Sequence, residues 1–363
     1  MRLCSLKLEN FRSASLAELN FSDGVNLLYG KNAEGKTNVL EAIYFFARGK
    51  SFRGARDADL VRFGAPGCSI EIEFIRRGER ETLAYRYFEG SRARFLNGVR
   101  ISAKESIGRF NAVLFCPDHL SIVKGAPSQR REFMDVALSQ LYGEYLSQLS
   151  VQKRMIEQKN ALFKKEEGFD PKLLSAYNEK LAACFAKICL FRRGYVNELS
   201  KYVGETISQI SGKTETAKIE YKCGIPAESA DFEAVKSEYI RLLGENMKRE
   251  AAAKMCLVGT QRDDLLFTVS GRDARQFASQ GQQRSIAIAL KLAEGDMVRR
   301  EKGESPVFLL DDVLGELDEE RRAYILSEMG GRQLIVTACE RGEYAKRHSV
   351  SMIEVCGGRY RQI

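Results

Sequence analysis

The sequence predicts an α/β fold whose main domain is assembled from both ends of the chain, with an α-helical arm inserted between them. Three observations carry this. A strand-like run at residues 25–29 passes through a glycine-rich turn into an apolar helical stretch at residues 39–46. From about residue 128 onward, apolar residues recur at helical spacing with few turn residues. After Cys256, short apolar runs alternate again with helical stretches, and one of them, Val307-Phe308-Leu309-Leu310, ends in two acids.

Each element follows from local pattern. Residues 69–74 alternate with period two, and Asn97-Gly98 is a hairpin signal in a strand-rich region running from about Ile70 to Ile101. In the arm, Leu138, Leu141, Tyr145 and Leu149 mark one long helix, and Leu174, Tyr177, Leu181, Phe185 and Ile188 a second. Gly168-Phe169-Asp170-Pro171 separates them, with Asp170 as N-cap and Pro171 as first helical residue. Two helices of roughly 35–40 residues would make a rod of roughly 55 Å. A short strand near residues 218–223 and a helix over residues 231–253 follow. Then come a strand at 265–269, a helix at 284–298, a strand at 307–310, a helix at 319–329 and a strand at 334–336. The expected domains are residues 1–125, 126–255 and 256–363, the first and last forming one body.

Composition bounds the function. The 363 residues carry 57 Lys+Arg against 49 Asp+Glu, a net charge of +8, which suits an anionic ligand or nucleic acid without requiring either. A 44% hydrophobic share is that of a folded globular chain. With only His119 and His348, multi-histidine metal sites and Ser-His-Asp hydrolysis are disfavoured. The nine cysteines are odd in number and include no C-x-x-C pair, so free thiols in a reducing cytosol are expected. Glu9 interrupts the N-terminus before any signal-peptide core, and no apolar run approaches the ~18–20 residues that span a bilayer. The expectation is a soluble intracellular protein.

Gly30-Lys31-Asn32-Ala33-Glu34-Gly35-Lys36-Thr37 fits the phosphate-loop pattern G-x-x-x-x-G-K-[ST]. Such a turn points successive backbone N–H groups at phosphate oxygens, and the following helix adds its positive end. Lys36 would meet the β- and γ-phosphates and Thr37 a magnesium ion. A buried parallel strand reads as an unbroken apolar run with ligands at its C-terminal end. Residues 307–310 fit, which makes Asp311 the metal-linked acid and Asp312 the group placed to polarise an attacking water.

Ala278-Ser279-Gln280-Gly281-Gln282-Gln283-Arg284 resembles the signature motif of ABC-type ATPases, a serine at a helix N-terminus that clamps a γ-phosphate. Asp311–Asp318 extends the match to the D-loop. Over the whole length the chain resembles the RecF family. The matching segments include Leu8-Glu9-Asn10-Phe11-Arg12, Gly30–Thr37, Phe115–Leu120, Val123-Lys124-Gly125, Arg130–Asp135, Gly259–Leu265, Ser279–Arg284 and Leu309–Asp318.

This resemblance implies an ABC/SMC-type P-loop ATPase head with a short helical arm. It implies ATP and Mg²⁺ as ligands, and Arg12, Lys31, Asn32, Ala33, Glu34, Gly35, Asn38 and Gln282 as further members of the nucleotide site. It implies an ATP-dependent head-to-tail homodimer in which Ser279 and Gly281 of one copy cap the ATP of the other and Asp318 faces the partner's site. It also implies slow, DNA-stimulated hydrolysis and binding to double-stranded, gapped and single-stranded DNA. RecA loading with RecR and RecO, replication and recombinational repair, the SOS response and a place in the cytoplasm at the nucleoid follow, with no membrane role. The chain departs from the wider ABC pattern at Ala278 and Gln280, at Asp312 where Glu is usual, and at Thr337 where a switch His is usual. It departs from the family at Thr260 and Gln261, and Asp118 or His119 stands where a Q-loop Gln is expected.

DNA contacts need Lys and Arg spaced to meet phosphates. Candidates are Arg48, Lys50, Arg53 and Arg56, with Phe52 interleaved, and along the arm Arg130, Arg131, Lys153, Arg154, Lys164 and Lys165. Charged residues line any solvated helix face, so each is only a candidate. Base-specific readout is not expected. The competing expectations are an ATPase subunit of a membrane ABC transporter and a non-catalytic scaffold that uses ATP as glue.

Overall fold

A computed structural model describes residues 1–164, 170–226, 231–341 and 350–363. Lys165, Gly168, Phe169 and His348 lie outside them. The chain forms two units: Met1–Ser121 with Ser279–Ile363, and Ile122–Ala278.

The first part of unit 1 contains β1 (Arg2–Phe11), β2 (Ala14–Asn20), β3 (Val25–Tyr29), α1 (Lys36–Arg48), β4 (Gly67–Arg76), β5 (Glu79–Phe88), β6 (Ser91–Leu96), β7 (Val99–Ile101), α2 (Ala103–Ser106), β8 (Ala112–Phe115) and α3 (Pro117–Leu120). Unit 2 contains α4 (Pro127–Leu141), α5 (Gly143–Phe163), α6 (Pro171–Ile210), β9 (Ala217–Lys222), α7 (Phe232–Glu245), α8 (Met247–Ala253), β10 (Asp264–Val269), β11 (Arg272–Asp273) and α9 (Ala274–Phe277). Unit 1 resumes with α10 (Gln280–Lys302), β12 (Val307–Leu310), α11 (Glu319–Glu328), β13 (Leu334–Ala338), β14 (Val350–Cys356) and β15 (Arg359–Gln362).

Unit 1 holds two six-stranded sheets. The antiparallel one runs β2-β1-β4-β5-β6-β7, and the other β15-β14-β3-β13-β12-β8. In the second, all neighbours are parallel except β14 and β15. Strands β8 and β12 are apolar and buried throughout, the pattern of strands covered on both faces, while β3 and β13 break their apolar runs with Asn26 and Thr337. The antiparallel sheet alternates instead: Ile70, Ile72 and Phe74 of β4 are wholly buried and point to one face. The Asn97-Gly98 turn has positive φ at both residues, the geometry of a two-residue hairpin. Helix α1 is buried on nearly every side: Phe45 meets Tyr85 of β5 at 4.5 Å between ring centroids, and Arg94 stacks over both rings.

Unit 2 differs from the expected rod. The first long helix is broken into α4 and α5 at Tyr142, whose backbone turns extended and whose ring packs on Phe191. The second helix, α6, runs 40 residues from the expected Asp170 cap and Pro171 start. Its apolar face is covered by α7 and β9, so Leu181, Phe185 and Cys189 share a core with Val235, Tyr239 and Leu243. The expected domain boundary after residue 255 falls instead at residue 278. Strand β10 pairs antiparallel with β9, and Cys256 joins the core of Phe185 and Tyr239, so residues 256–278 complete unit 2. The structure likewise begins the inserted unit at Ile122 rather than residue 126.

Candidate functional site: a phosphate loop beside an acid-ending strand

The strand order sets the geometry of unit 1. Strands β3 and β12 lie on either side of β13, and all three end at the same edge of the parallel sheet. Residues 30–37 leave that edge from β3, Asp311 and Asp312 from β12, and Thr337 sits near the end of β13. The Thr37 hydroxyl donates to Asp311 Oδ1 at 2.9 Å, and Thr337 Oγ1 donates to the same oxygen at 3.1 Å. Burial raises the Asp311 pKa above the usual carboxylate value, and these two hydroxyls pull against it. Asp312 takes a left-handed backbone (φ 50°), and its N–H donates to Thr337 Oγ1 at 2.8 Å. Thr337 thus holds both acids.

The loop is formed tightly. Gly30 has no alternative residue, since a Cβ there would run into the Val355 carbonyl oxygen of β14. Lys36 is buried and curls back to donate to the carbonyls of Gly30 (2.7 Å) and Lys31 (3.1 Å). Glu34 accepts from the Gly357 N–H, the Gly358 N–H reaches the Glu34 carbonyl, and the Tyr360 hydroxyl donates to the Gly35 carbonyl. The β14–β15 turn therefore braces the outer side of the loop. Cys339 Sγ donates to Asn32 Oδ1 at 3.1 Å, and Asn38 Nδ2 donates to Ser13 Oγ at 3.0 Å. Two adjoining cavities open here, of about 440 and 320 Å³. Asn32 and Asp312 line both; the smaller also meets Ala33, Lys36, Thr37 and Arg53.

Several expected residues take other places. Arg12 grips Glu41 with two bonds, at 2.9 and 2.7 Å, and donates to the Asp59 carbonyl. It supports α1 behind the loop and lines neither cavity. Arg53, read as a DNA candidate, lines the smaller cavity, donates to Asn38 Oδ1 at 3.2 Å and sits 3.6 Å from Glu41. Glu41, wholly buried between Arg12, Arg53 and Ser51, is a supporting residue behind the loop that the sequence reading missed. Its signal was visible: it is the lone acid in the apolar stretch of residues 39–46.

Ser279, Gly281, Gln282 and Asp318 gather elsewhere in unit 1. Ser279 is exposed and N-caps α10, its hydroxyl accepting from the Gln282 N–H (3.2 Å) while its own N–H donates to Gln282 Oε1 (2.8 Å). Asp318 N-caps α11; the Arg321 N–H, joined by the Arg321 guanidinium, holds its carboxyl below the usual range. Arg321 Nε donates to Ser285 Oγ at 2.9 Å, so one arginine ties the two helix starts together. None of these four residues lines either cavity at the loop.

The DNA candidates divide. Lys50, Arg53 and Arg56 are exposed, and Arg48 is half-buried, donating to the Ser51 carbonyl. Arg130 is a correction. It is wholly buried, paired through two bonds with Asp264 (2.6 and 2.9 Å), and donates to the carbonyls of Ile122, Val123 and Gly125. A guanidinium so enclosed cannot reach a DNA phosphate. Half-buried Arg131 donates to the Asp263 carbonyl at 2.8 Å. Among the described residues, no cluster of His, Cys, Asp and Glu suits a metal ion, and no helix is long and apolar enough to cross a membrane.

Comparisons with known proteins agree with this layout. Residues 2–358 match the family described as RecF/RecN/SMC N terminal domain. The chain is 36% identical over 342 residues to the DNA replication and repair protein RecF of Listeria innocua, covering 93% of this chain and 92% of that protein. It is 38% identical over 332 residues to the same-named protein of Staphylococcus carnosus, covering 90% of each. A solved structure of the recombination mediator protein RecF with ATP, in the RecFOR pathway, matches with a TM-score of 0.92 at 31% identity, covering 100% of this chain and 97% of that one. An Smc head bound to the C-winged helix domain of ScpA, at 17% identity and a TM-score of 0.59, covers 100% and 97% and shares the fold. The membrane-transporter alternative is not favoured beside these matches. With its phosphate loop, its acid-ending strand and a kinship that runs nearly end to end, the chain belongs to the RecF family of DNA replication and repair proteins.

Proposed function

We propose that this chain is an ATP-switched DNA-binding protein of replication and recombinational repair, acting in the cytoplasm at the nucleoid. In this reading the backbone N–H groups of residues 30–37 take the phosphates of ATP, and Lys36 exchanges its loop carbonyls for the β- and γ-phosphate oxygens. The Thr37 hydroxyl and the Asp311 carboxylate form an oxygen-only pair 2.9 Å apart, which fits a hard divalent cation that keeps part of its water shell. Bound there, Mg²⁺ would neutralise charge on the phosphate oxygens. Asp312, fixed by Thr337, takes a proton from the attacking water. It is one methylene shorter than the usual Glu, which suits a slow switch stimulated by DNA.

One observation carries the reading: Ser279 stands exposed at the start of α10, its N–H and hydroxyl oxygen engaged in its own helix turn, and lines neither cavity at its own loop. The pocket then needs a second copy, whose Ser279 and Gly281 meet the γ-phosphate and whose Asp318 faces the shared site. ATP thereby joins two copies head to tail on double-stranded, gapped or single-stranded DNA. RecR with RecO, and RecA at the gap, are the partners this family membership implies.

The test is sizing by light scattering, with and without ATP and duplex DNA. ATP should convert the wild type to dimer, while Ser279→Arg binds ATP and stays monomeric. ATP-driven dimers of Ser279→Arg would defeat the shared-pocket reading.

A further inference from the structure

In unit 2, two cysteines 34 positions apart in sequence meet. Cys189 on α6 directs its sulfur at Cys223, just past the end of β9, at an Sγ–Sγ distance of 4.0 Å. Arg193, one turn after Cys189 on α6, donates from Nη2 to the same Cys223 sulfur at 3.6 Å. It also donates to the carbonyls of Ile225 (3.0 Å) and Pro226 (2.9 Å), which clamps residues 223–226 against the helix. Two donors therefore converge on one sulfur, the arrangement that favours a thiolate. The Ile225 carbonyl oxygen, 3.5 Å away, accepts a hydrogen bond from the S–H when the thiol is neutral. Asp263, Tyr221 and Tyr239 complete the ionisable surroundings of the pair.

We propose that Cys189 and Cys223 are an oxidation site that closes into an intramolecular disulfide under hydrogen peroxide, Cys223 attacking and Cys189 resolving. The assignment of roles follows from position: Cys223 is half-buried and reached from solvent, whereas Cys189 is wholly buried in the core of Phe185 and Tyr239. The bond from Cys189 draws the Cys223 thiol below its usual range, with Arg193 adding to it against the opposing effect of burial. The Cys189 thiol is pushed up by the same contact and by burial.

The chemistry balances with the peroxide as the sole oxidant. The Cys223 thiolate attacks one peroxide oxygen; the O–O bond breaks, hydroxide leaves and takes a proton to become water, and Cys223 becomes a sulfenic acid. The Cys189 thiol then attacks that sulfur, the S–O bond breaks, and its proton leaves with the oxygen as a second water. Two thiols have lost two electrons and the peroxide has gained them. The sulfurs must close by about 2 Å to reach disulfide length. A pair of free thiols with one partly exposed member is the kind that stays reduced in a glutathione pool and responds to oxidant.

The test treats the folded full chain with hydrogen peroxide, alkylates under denaturing conditions and maps unreduced peptides by mass spectrometry. The expected product is a peptide joining Cys189 to Cys223, two hydrogens lighter than the reduced pair, which thiol reductant releases. Wild-type mapping alone decides the matter, so a folding defect in a variant cannot obscure it. In Cys223→Ser the cross-link should vanish and Cys189 be recovered alkylated. Iodoacetamide labelling of Cys223 between pH 6 and 8 should rise less than that of an ordinary thiol of pKa ~8.5, which gains more than tenfold. The proposal is overturned if both cysteines are recovered as alkylated thiols at a peroxide dose that oxidises exposed Cys339. It is equally overturned if Cys223 ends as sulfinic acid without the cross-link.

Discussion

Thr37 and Asp311 are 274 residues apart in sequence, yet the threonine hydroxyl donates to the carboxylate at 2.9 Å across the end of β13. That bond joins the phosphate loop to the acid-ending strand, and it holds the buried Asp311 closer to its ionised form. Thr37→Val keeps the side-chain shape and removes the donor. The Asp311 pKa should rise further, so the carboxylate is protonated at a higher pH. Mg²⁺-dependent ATP binding should weaken by roughly 10-fold or more, the loss growing as pH falls. Titration with a fluorescent ATP analogue, with Mg²⁺ and with EDTA, at two pH values measures this.

Asp312 lies in a left-handed backbone conformation that Asn also adopts readily, and its N–H bond to Thr337 does not depend on the side chain. Asp312→Asn should therefore fold and bind ATP as the wild type does, while losing the carboxylate proposed to take the water's proton. Turnover should fall by about 100-fold or more with binding unchanged. A phosphate-release assay beside a binding titration separates the two, and unchanged turnover would remove Asp312 from the role of base.

The parts of the site that were legible in the sequence are those written in consecutive residues. The loop at 30–37 and the strand ending in Asp311 carry their own pattern, because a phosphate cradle needs glycine at fixed offsets and a doubly covered strand needs an unbroken apolar run. What could not be read depends on partners distant in the chain. Arg130 and Arg53 look alike as surface cations, and only the fold sets one against Asp264, 134 residues on, and the other beside Asn38. The boundary at 278 was hidden for the same reason: the β10 pattern suits either unit, and its pairing with β9 decides. Tyr142 ends α4 without Pro or a run of turn residues, beside a lone Gly143, and its ring packs on Phe191.

That contrast between arginines yields a paired test. Arg130→Ala leaves Asp264 with Arg275 and the Leu265 N–H, and it strands three carbonyls that had a donor. Unit 2 should lose about 3 kcal/mol, the low end for a broken buried pair, because Asp264 keeps some contact with water. DNA affinity of the folded fraction and its salt dependence should not change. Exposed Arg56→Ala should do the reverse, leaving stability alone; if Arg56 meets a phosphate, the slope of log K against log salt should fall by about 1. Denaturant melts and DNA titrations at several salt concentrations read both quantities.

His119 supplies the pH test for unit 1. Its Nδ1 accepts from the Cys116 N–H at 3.3 Å, and burial, followed by the nearby cations Lys291 and Arg48, holds its pKa well below the usual value. The sign follows from proton counts. Below the ordinary pKa of about 6.5 the unfolded chain takes up a proton that the folded chain refuses. Stability attributable to His119 is thus full above that pH and declines as pH falls beneath it, at up to about 1.4 kcal/mol per pH unit. His119→Gln keeps an acceptor near the Cys116 N–H and cannot titrate. Its denaturation midpoint should therefore fall less than that of the wild type between pH 7 and pH 5. Equal slopes for the two proteins would mean that the imidazole titrates in the folded state much as it does in the unfolded chain.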